Sequence, residues 1–393
     1  MIRIGIAVTD RKIWTGGYNY LLNLVEVSSL YLASELCPVV FFGDDVSDVD
    51  VDRFAKVQGT QIVRSPAFRQ SRRERAFANA VLWGSDPSIS GLFDQHRVDV
   101  VVEAAQFFGW RLHQPVVAWI ADFQHRLLKH LFSRRAYWRR ELGFRAQIYS
   151  GRSIMLSSED ARLHCETFYP RTRGRTHAVR FAVGAKPRLT FDEIRLVAGS
   201  YGLPTNYFYL PNQFWRHKNH ECVIRALGHL KKSGHEVTVA ASGNPLDRGD
   251  PDHWTRLERL IGDFAVAQNF RLLGMIPRDH VNALLQGCSA LLNPSLSEGW
   301  STTVEEAKSA GTPMILSDLP VHREQAAGSA IFFDPARFEH LAEILANYEP
   351  LDENSRAARA TEAEVSSHEA VMRFAREFLA VIETLNGRGT ANR

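Results

Sequence analysis

The sequence predicts an α/β protein built from two doubly wound parallel-sheet domains, and three observations carry that expectation. At 393 residues the chain is long for one domain, and two of roughly 150–200 residues are the natural division. Short apolar runs alternate with helix-period stretches along its length, the pattern of parallel strands joined by crossover helices. In the clearest such unit, a polar loop containing glycine follows a strand near residue 290, where open parallel sheets bind ligands. The expected boundaries are 1–186 for the first domain, 203–368 for the second, and 369–393 for a terminal helix and tail.

Arg3 to Val8 reads as a buried first strand, followed by a loop to Gly16-Gly17 and a helix with Tyr20, Leu21, Leu24 and Val25 on one face. Further strands are expected at Pro38–Phe42, Gln61–Val63, Val98–Val102, Pro115–Ile120, Ser153–Ser158 and Val179–Val183, with a helix at Arg73–Trp83. Asp44 to Asp52 contains D-x-D triplets, which can hold a divalent cation. Acids placed directly after a strand are read here as helix caps. Arg126 to Arg152 carries Arg126, Lys129, Arg134, Arg135, Arg139, Arg140, Arg145 and Arg152 against a single acid, Glu141. With Tyr137, Trp138, Leu142, Phe144, Ile148 and Tyr149 interleaved, this is one basic amphipathic helix. It suits either an anionic membrane surface or packing on the sheet.

Gly184 to Pro187 and Gly202 to Pro204 bracket the crossing to the second domain, whose strands are expected at Tyr207–Leu210, Val237–Gly243, Phe270–Pro277, Ala290–Leu292, Met314–Leu316 and Ala330–Phe333. After Leu210 come Arg216 and Lys218, cations at the carboxyl end of a strand, where a diphosphate leaving group needs them. Thr302 to Ala310 is a helix stopped by Gly311-Thr312-Pro313. Gly299 lets backbone approach a ligand, and the amides of Trp300 to Thr303 at the helix start can receive a phosphate. Glu298 and Glu306 flank that helix start with seven residues between them. Two carboxylates beside an anion site can accept hydrogen bonds from pairs of sugar hydroxyls, although a capping Glu and an exposed helix Glu would produce the same letters.

The run E-G-W-S-T-T-V-E-E-A, with S-A-G-T-P and S-D-L-P-V-H-R-E behind it, resembles the signature of the retaining group 1 glycosyltransferases, which use nucleotide sugars. The resemblance implies the GT-B fold, two Rossmann-like domains facing each other across a cleft. It also implies transfer of a mannose, rhamnose or glucose type sugar from a nucleotide diphosphate sugar to a saccharide or lipid-linked acceptor. No metal and no cofactor beyond the co-substrate are expected, and cell-surface polysaccharide synthesis is the expected setting. By the same resemblance Glu298 faces the donor sugar, Glu306 the ribose, and the backbone of Gly299, Trp300, Ser301 and Thr302 holds the diphosphate. Lys218 matches the family lysine that neutralises the phosphates, while the family arginine position is Gln213, leaving Arg216 to replace that charge in part. Met275 and Ile276 fall where the family contacts the base, Gly16 and Gly17 where a glycine loop faces the diphosphate, and His125 where a histidine reaches the sugar. Val371 to Leu385 resembles the terminal helix that returns to the first domain.

Other bounds are simpler. Cys37, Cys165, Cys222 and Cys288 are far apart in sequence, so reduced thiols are expected. A net charge of +3 does not point to nucleic acid. No apolar run is long enough to span a membrane, so the expected location is the cytoplasm, with any membrane contact peripheral, on the inner face through 126–152. A sugar-nucleotide 2-epimerase and a non-catalytic sugar-nucleotide-binding protein are the rival functions.

Overall fold

The computed structural model of the chain describes residues 1–247 and 249–391. They divide into two compact units, the first comprising 1–123, 134–181 and the chain from Ala370 onward, the second 124–133 and 182–369.

The first unit holds a seven-stranded sheet of β1 (Ile2–Ala7), β2 (Leu36–Phe42), β3 (Gln61–Arg64), β4 (Val100–Ala104), β5 (Val116–Trp119), β6 (Ser153–Leu156) and β7 (Thr176–Ala178) in the order β3-β2-β1-β4-β5-β6-β7. All pairings are parallel, with Ile4 opposite both Pro38 and Val100. The second unit's sheet comprises β8 (Phe208–Leu210), β9 (Val239–Ser242), β10 (Phe270–Gly274), β11 (Ala290–Asn293), β12 (Met314–Ser317) and β13 (Ala330–Phe333) in the order β10-β9-β8-β11-β12-β13. It too is wholly parallel. Strand order therefore reverses between β8 and β11, and the loops that leave their carboxyl ends open a crevice.

Both faces of the second sheet are covered, so its strands read as continuous apolar runs. Leu210 and Leu292 face one layer with Phe214, Val223, Leu227 and Leu341. Their neighbours Tyr209 and Leu291 face the other with Leu284, Val304, Ala307 and Leu316. Val304 and Ala307, three apart, fix which side of the helix Thr302–Ala310 is buried. That helix stops where predicted. Gly311 takes φ 70°, and a Cβ there would lie 2.7 Å from the Arg359 carbonyl oxygen, so glycine is required on two grounds.

Four expectations are corrected. The first unit's last strand is Thr176–Ala178, not Val179–Val183: Val179 makes a last bond to the Leu156 carbonyl, and the Arg180 amide then donates to Glu377 Oε2 instead of continuing the ladder. The basic stretch is not one helix. It divides into a turn of helix at Gln124–Leu127, a 3₁₀ turn at Lys129–Leu131 and a helix at Arg134–Tyr149, with Phe132 in extended backbone between them. The terminal helix runs Glu353–Ala391, far beyond the predicted Val371–Leu385. After β2 the cap is Ser47, not an acid: its Oγ accepts the Asp50 amide, while Asp48 and Asp50 occupy the first helical turn and Asp44 pairs with Arg69.

Candidate functional site

Two loops build the site, one after β8 and one after β11. The first passes through a 3₁₀ turn at Arg216–Lys218 and ends at Asn219, in the left-handed region at φ 54°, which asparagine tolerates. The Asn219 side-chain amide donates to the carbonyls of Pro294 and Pro335, each at 3.1 Å. The Leu296 amide donates to the His217 carbonyl at 2.7 Å. These bonds stitch the loops together and bring Lys218 Nζ to 2.5 Å from Glu298 Oε1, although the residues are 80 apart in sequence. Ser295 Oγ lies 2.7 Å from the same carboxylate oxygen and 2.6 Å from Asn293 Oδ1, so one hydroxyl proton serves two acceptors.

The Lys218–Glu298 pair is nearly enclosed, with 12% and 7% of the side chains exposed. Burial alone would raise Glu298, but Lys218 above all, then His217 and His322, outweigh it and bring the carboxyl down to about 2. It is ionised at any physiological pH. His322 is fully buried, and burial lowers its pKa against the pull of Glu298. Its Nδ1 donates to the Ser317 carbonyl at 2.8 Å, which leaves Nε2 an acceptor with no partner among the described residues.

The helix Thr302–Ala310 starts immediately beyond. Ser301, its N-cap residue, does not cap with its hydroxyl, which instead accepts from Asn293 Nδ2 at 2.9 Å and meets Thr303 Oγ1 at 3.1 Å. Gln325 grips Ser301 from behind: Oε1 accepts its amide at 3.2 Å, and Nε2 donates to its carbonyl at 2.7 Å. Glu305 turns inward to Gln325 and Lys308. The first-turn amides of Thr302 and Thr303 have no acceptor within the helix, and together with the helix dipole they favour an anion.

Glu306, one turn on, receives Arg278 Nη2 at 2.9 Å. Burial raises this carboxyl, and Arg278, then Lys186, only partly oppose it. The two glutamates are thus driven in opposite directions. Met275 is 69% exposed on the loop after β10, and Ile276 packs against the layer containing Leu284.

The remaining expected residues have surroundings of their own. Gln213 Oε1 accepts the Asn244 amide at 2.9 Å, tying the loop after β8 to the loop after β9. Arg216 pairs with Asp250, Nε to Oδ2 at 3.4 Å. Gly16 and Gly17 belong to the first unit. Trp14 lies over them, and a Cβ on Gly17 would fall 2.2 Å from its ring. His125 is fully buried in the 124–133 segment. Sequence reasoning missed Asn219, Asn293, Ser295, Arg278, His322 and Gln325.

Residues 202–364 match the family model described as Glycosyl transferases group 1. Among curated proteins, the O-antigen chain mannosyltransferase RfbU of Salmonella typhimurium is 25% identical over 146 residues, 37% of this chain and 39% of that protein. The match thus spans about two fifths of that relative. Among solved structures, a glycosyltransferase from Rickettsia africae superposes with TM-score 0.70 at 13% identity, covering 100% of this chain and 99% of that one. HepE from Anabaena, in complex with UDP and glucose, gives TM-score 0.70 at 15% identity over 98% and 100%. These likenesses bear out the expected fold class, GT-B.

Proposed function

With residues 202–364 matching the model of the glycosyl transferases group 1 family, we propose that the protein is a retaining glycosyltransferase. It moves a mannose, rhamnose or glucose type sugar from a nucleotide diphosphate sugar to a hydroxyl of a saccharide or lipid-linked acceptor, in cell-surface polysaccharide synthesis. The observation that carries this is the enclosed Lys218–Glu298 pair at the mouth of the helix Thr302–Ala310, where the strand order reverses. The departing diphosphate draws Lys218 from Glu298 and takes up the amides of Gly299, Trp300 and Thr302, while Ser301 between them stays clamped by Gln325. Glu298, fixed by Ser295, then faces the sugar, and Glu306 the ribose. His125 positions the sugar, and Met275 and Ile276 meet the base. Lys218 and the helix amides supply the positive potential, so the reading requires no metal ion.

A lipid-linked acceptor is favoured by the helix Arg134–Tyr149. Trp138, Leu142 and Tyr149 are 52%, 55% and 59% exposed along one side, among arginines. Its one acid, Glu141, is turned inward to Arg145 and the Tyr169 hydroxyl. Such a face suits peripheral contact with an anionic membrane. Among the described residues no helix is long and apolar enough to cross one.

Gln213 and the Asp250-paired Arg216 favour a second reading, a non-catalytic sugar-nucleotide-binding protein. One experiment separates the two. Thermal unfolding with UDP, GDP and dTDP selects the nucleotide, and the corresponding donor sugars are then assayed for released diphosphate with saccharide acceptors. Transfer with the anomeric configuration kept supports the proposal. Stabilisation without any turnover supports the binding protein, and no stabilisation by any nucleotide contradicts both.

A further inference from the structure

We propose that Arg278 is a positioning residue for the ribose end of the site, holding one oxygen of Glu306 so that the other is presented to the ligand. This rests on the assignment of Glu306 to the ribose. Arg278 Nη2 lies 2.9 Å from Glu306 Oε1, and Oε2 makes no hydrogen bond among the described residues. One lone-pair set is anchored and one is open, as a carboxylate needs in order to accept from ribose hydroxyls in a fixed direction.

The placement of Arg278 is not explained by its own helix. It is the first residue of the helix Arg278–Gly287, where a cation opposes the dipole and costs helix stability. Nor is it explained by folding. Its side chain is 53% exposed, and half-exposed ion pairs add little to stability. It follows Met275, Ile276 and Pro277 directly, so one short segment serves both the base contact and the carboxylate next to it.

Electrostatics agree with the geometry. Burial raises Glu306, and Arg278 is the largest opposing influence, ahead of Lys186. The Tyr209 phenol on β8 also senses Glu306 but is itself raised by burial and stays neutral. Glu305, the adjacent acid on the same helix, is held inward by Gln325 and Lys308. Without Arg278 the carboxyl therefore rises further, and it takes up a proton as the pH falls.

The test is calorimetric titration of the full chain with the best-stabilising of UDP, GDP and dTDP at pH 6 and pH 8. For Arg278→Gln, Kd is expected to rise about tenfold at pH 6 and less than about threefold at pH 8, with Arg278→Lys within about threefold of wild type at both. A purely structural lesion would move Kd equally at the two pH values. Equal weakening at both, or unchanged binding by Arg278→Gln at pH 6, overturns the inference. Glu306→Gln separates the two levels: if it weakens binding while Arg278→Gln does not, only Arg278 is misassigned, and if Glu306→Gln binds as wild type the ribose assignment itself fails.

Discussion

Replacing Lys218 by methionine keeps the length of the side chain and removes its charge. In the native site the ammonium lies 2.5 Å from Glu298 Oε1, and only 7% of the Glu298 side chain is exposed. Burial pushes that carboxyl up, and Lys218, His217 and His322 bring it instead from 4.5 to about 2. At about 1.4 kcal/mol per pH unit, that interval corresponds to about 3 kcal/mol of folding free energy. Since the folded value lies below the unfolded one, this stability is present in full above about pH 4.5 and is lost as the pH falls toward 2. Removing one member of a buried pair independently suggests a loss of about 3–5 kcal/mol, against about 0–1 for an exposed pair. Lys218→Met is therefore expected to lose about 3 kcal/mol at pH 7. Adding Glu298→Gln, which removes the stranded charge, should restore about 2 kcal/mol of it. Urea unfolding of wild type, both single variants and the double variant measures the coupling. A Lys218→Met protein within about 0.5 kcal/mol of wild type, or no recovery in the double variant, would refute the reasoning.

Glu306→Ala should weaken nucleoside diphosphate binding about tenfold or more with little change in turnover at saturation, whereas Glu298→Ala should chiefly lower turnover, by about a hundredfold; steady-state kinetics and calorimetry on both separate these. Gly243→Ala should cost about 3 kcal/mol in urea unfolding. The new Cβ at φ 145° would lie 2.3 Å from the Asn212 carbonyl oxygen, so backbone must move. Gln325→Leu should strand the Ser301 amide and carbonyl, cost about 2 kcal/mol, and weaken nucleotide binding in calorimetry without touching the ligand. Trp138→Ser combined with Arg135→Glu and Arg139→Glu should abolish co-sedimentation with phosphatidylglycerol vesicles while leaving nucleotide binding unchanged; equal sedimentation would remove the membrane contact from the reading.

The strands were legible because both sheet faces are covered, which turns each strand into an uninterrupted apolar run such as Val39 to Phe42 or Met314 to Leu316. The helix Thr302–Ala310 was legible to the residue because its stop signal, Gly311, is local. The edge was not. Val179 to Val183 is apolar and largely buried, and nothing in its composition reveals that Arg180 bonds to Glu377 rather than to a neighbouring strand. The break in the basic stretch was hidden for a similar reason, since Phe132 fits a helical period as well as it fits extended backbone. In the site, residue types and loops were readable but partners were not. Arg216 and Lys218 are equally cationic on paper, and only the fold assigns one to Asp250 and the other to Glu298. Gln325 sits 24 residues from the Ser301 it clamps, and Arg278 28 from Glu306, with no local signal at either end.

A crystal structure with the preferred nucleotide diphosphate sugar bound is the most direct test of how the second unit works. The diphosphate is expected on the amides of Gly299, Trp300 and Thr302 with Lys218 Nζ turned to its oxygens, the sugar beside Glu298 and the ribose hydroxyls on Glu306. A donor lodged away from that helix start, with Lys218 still held by Glu298, would contradict it.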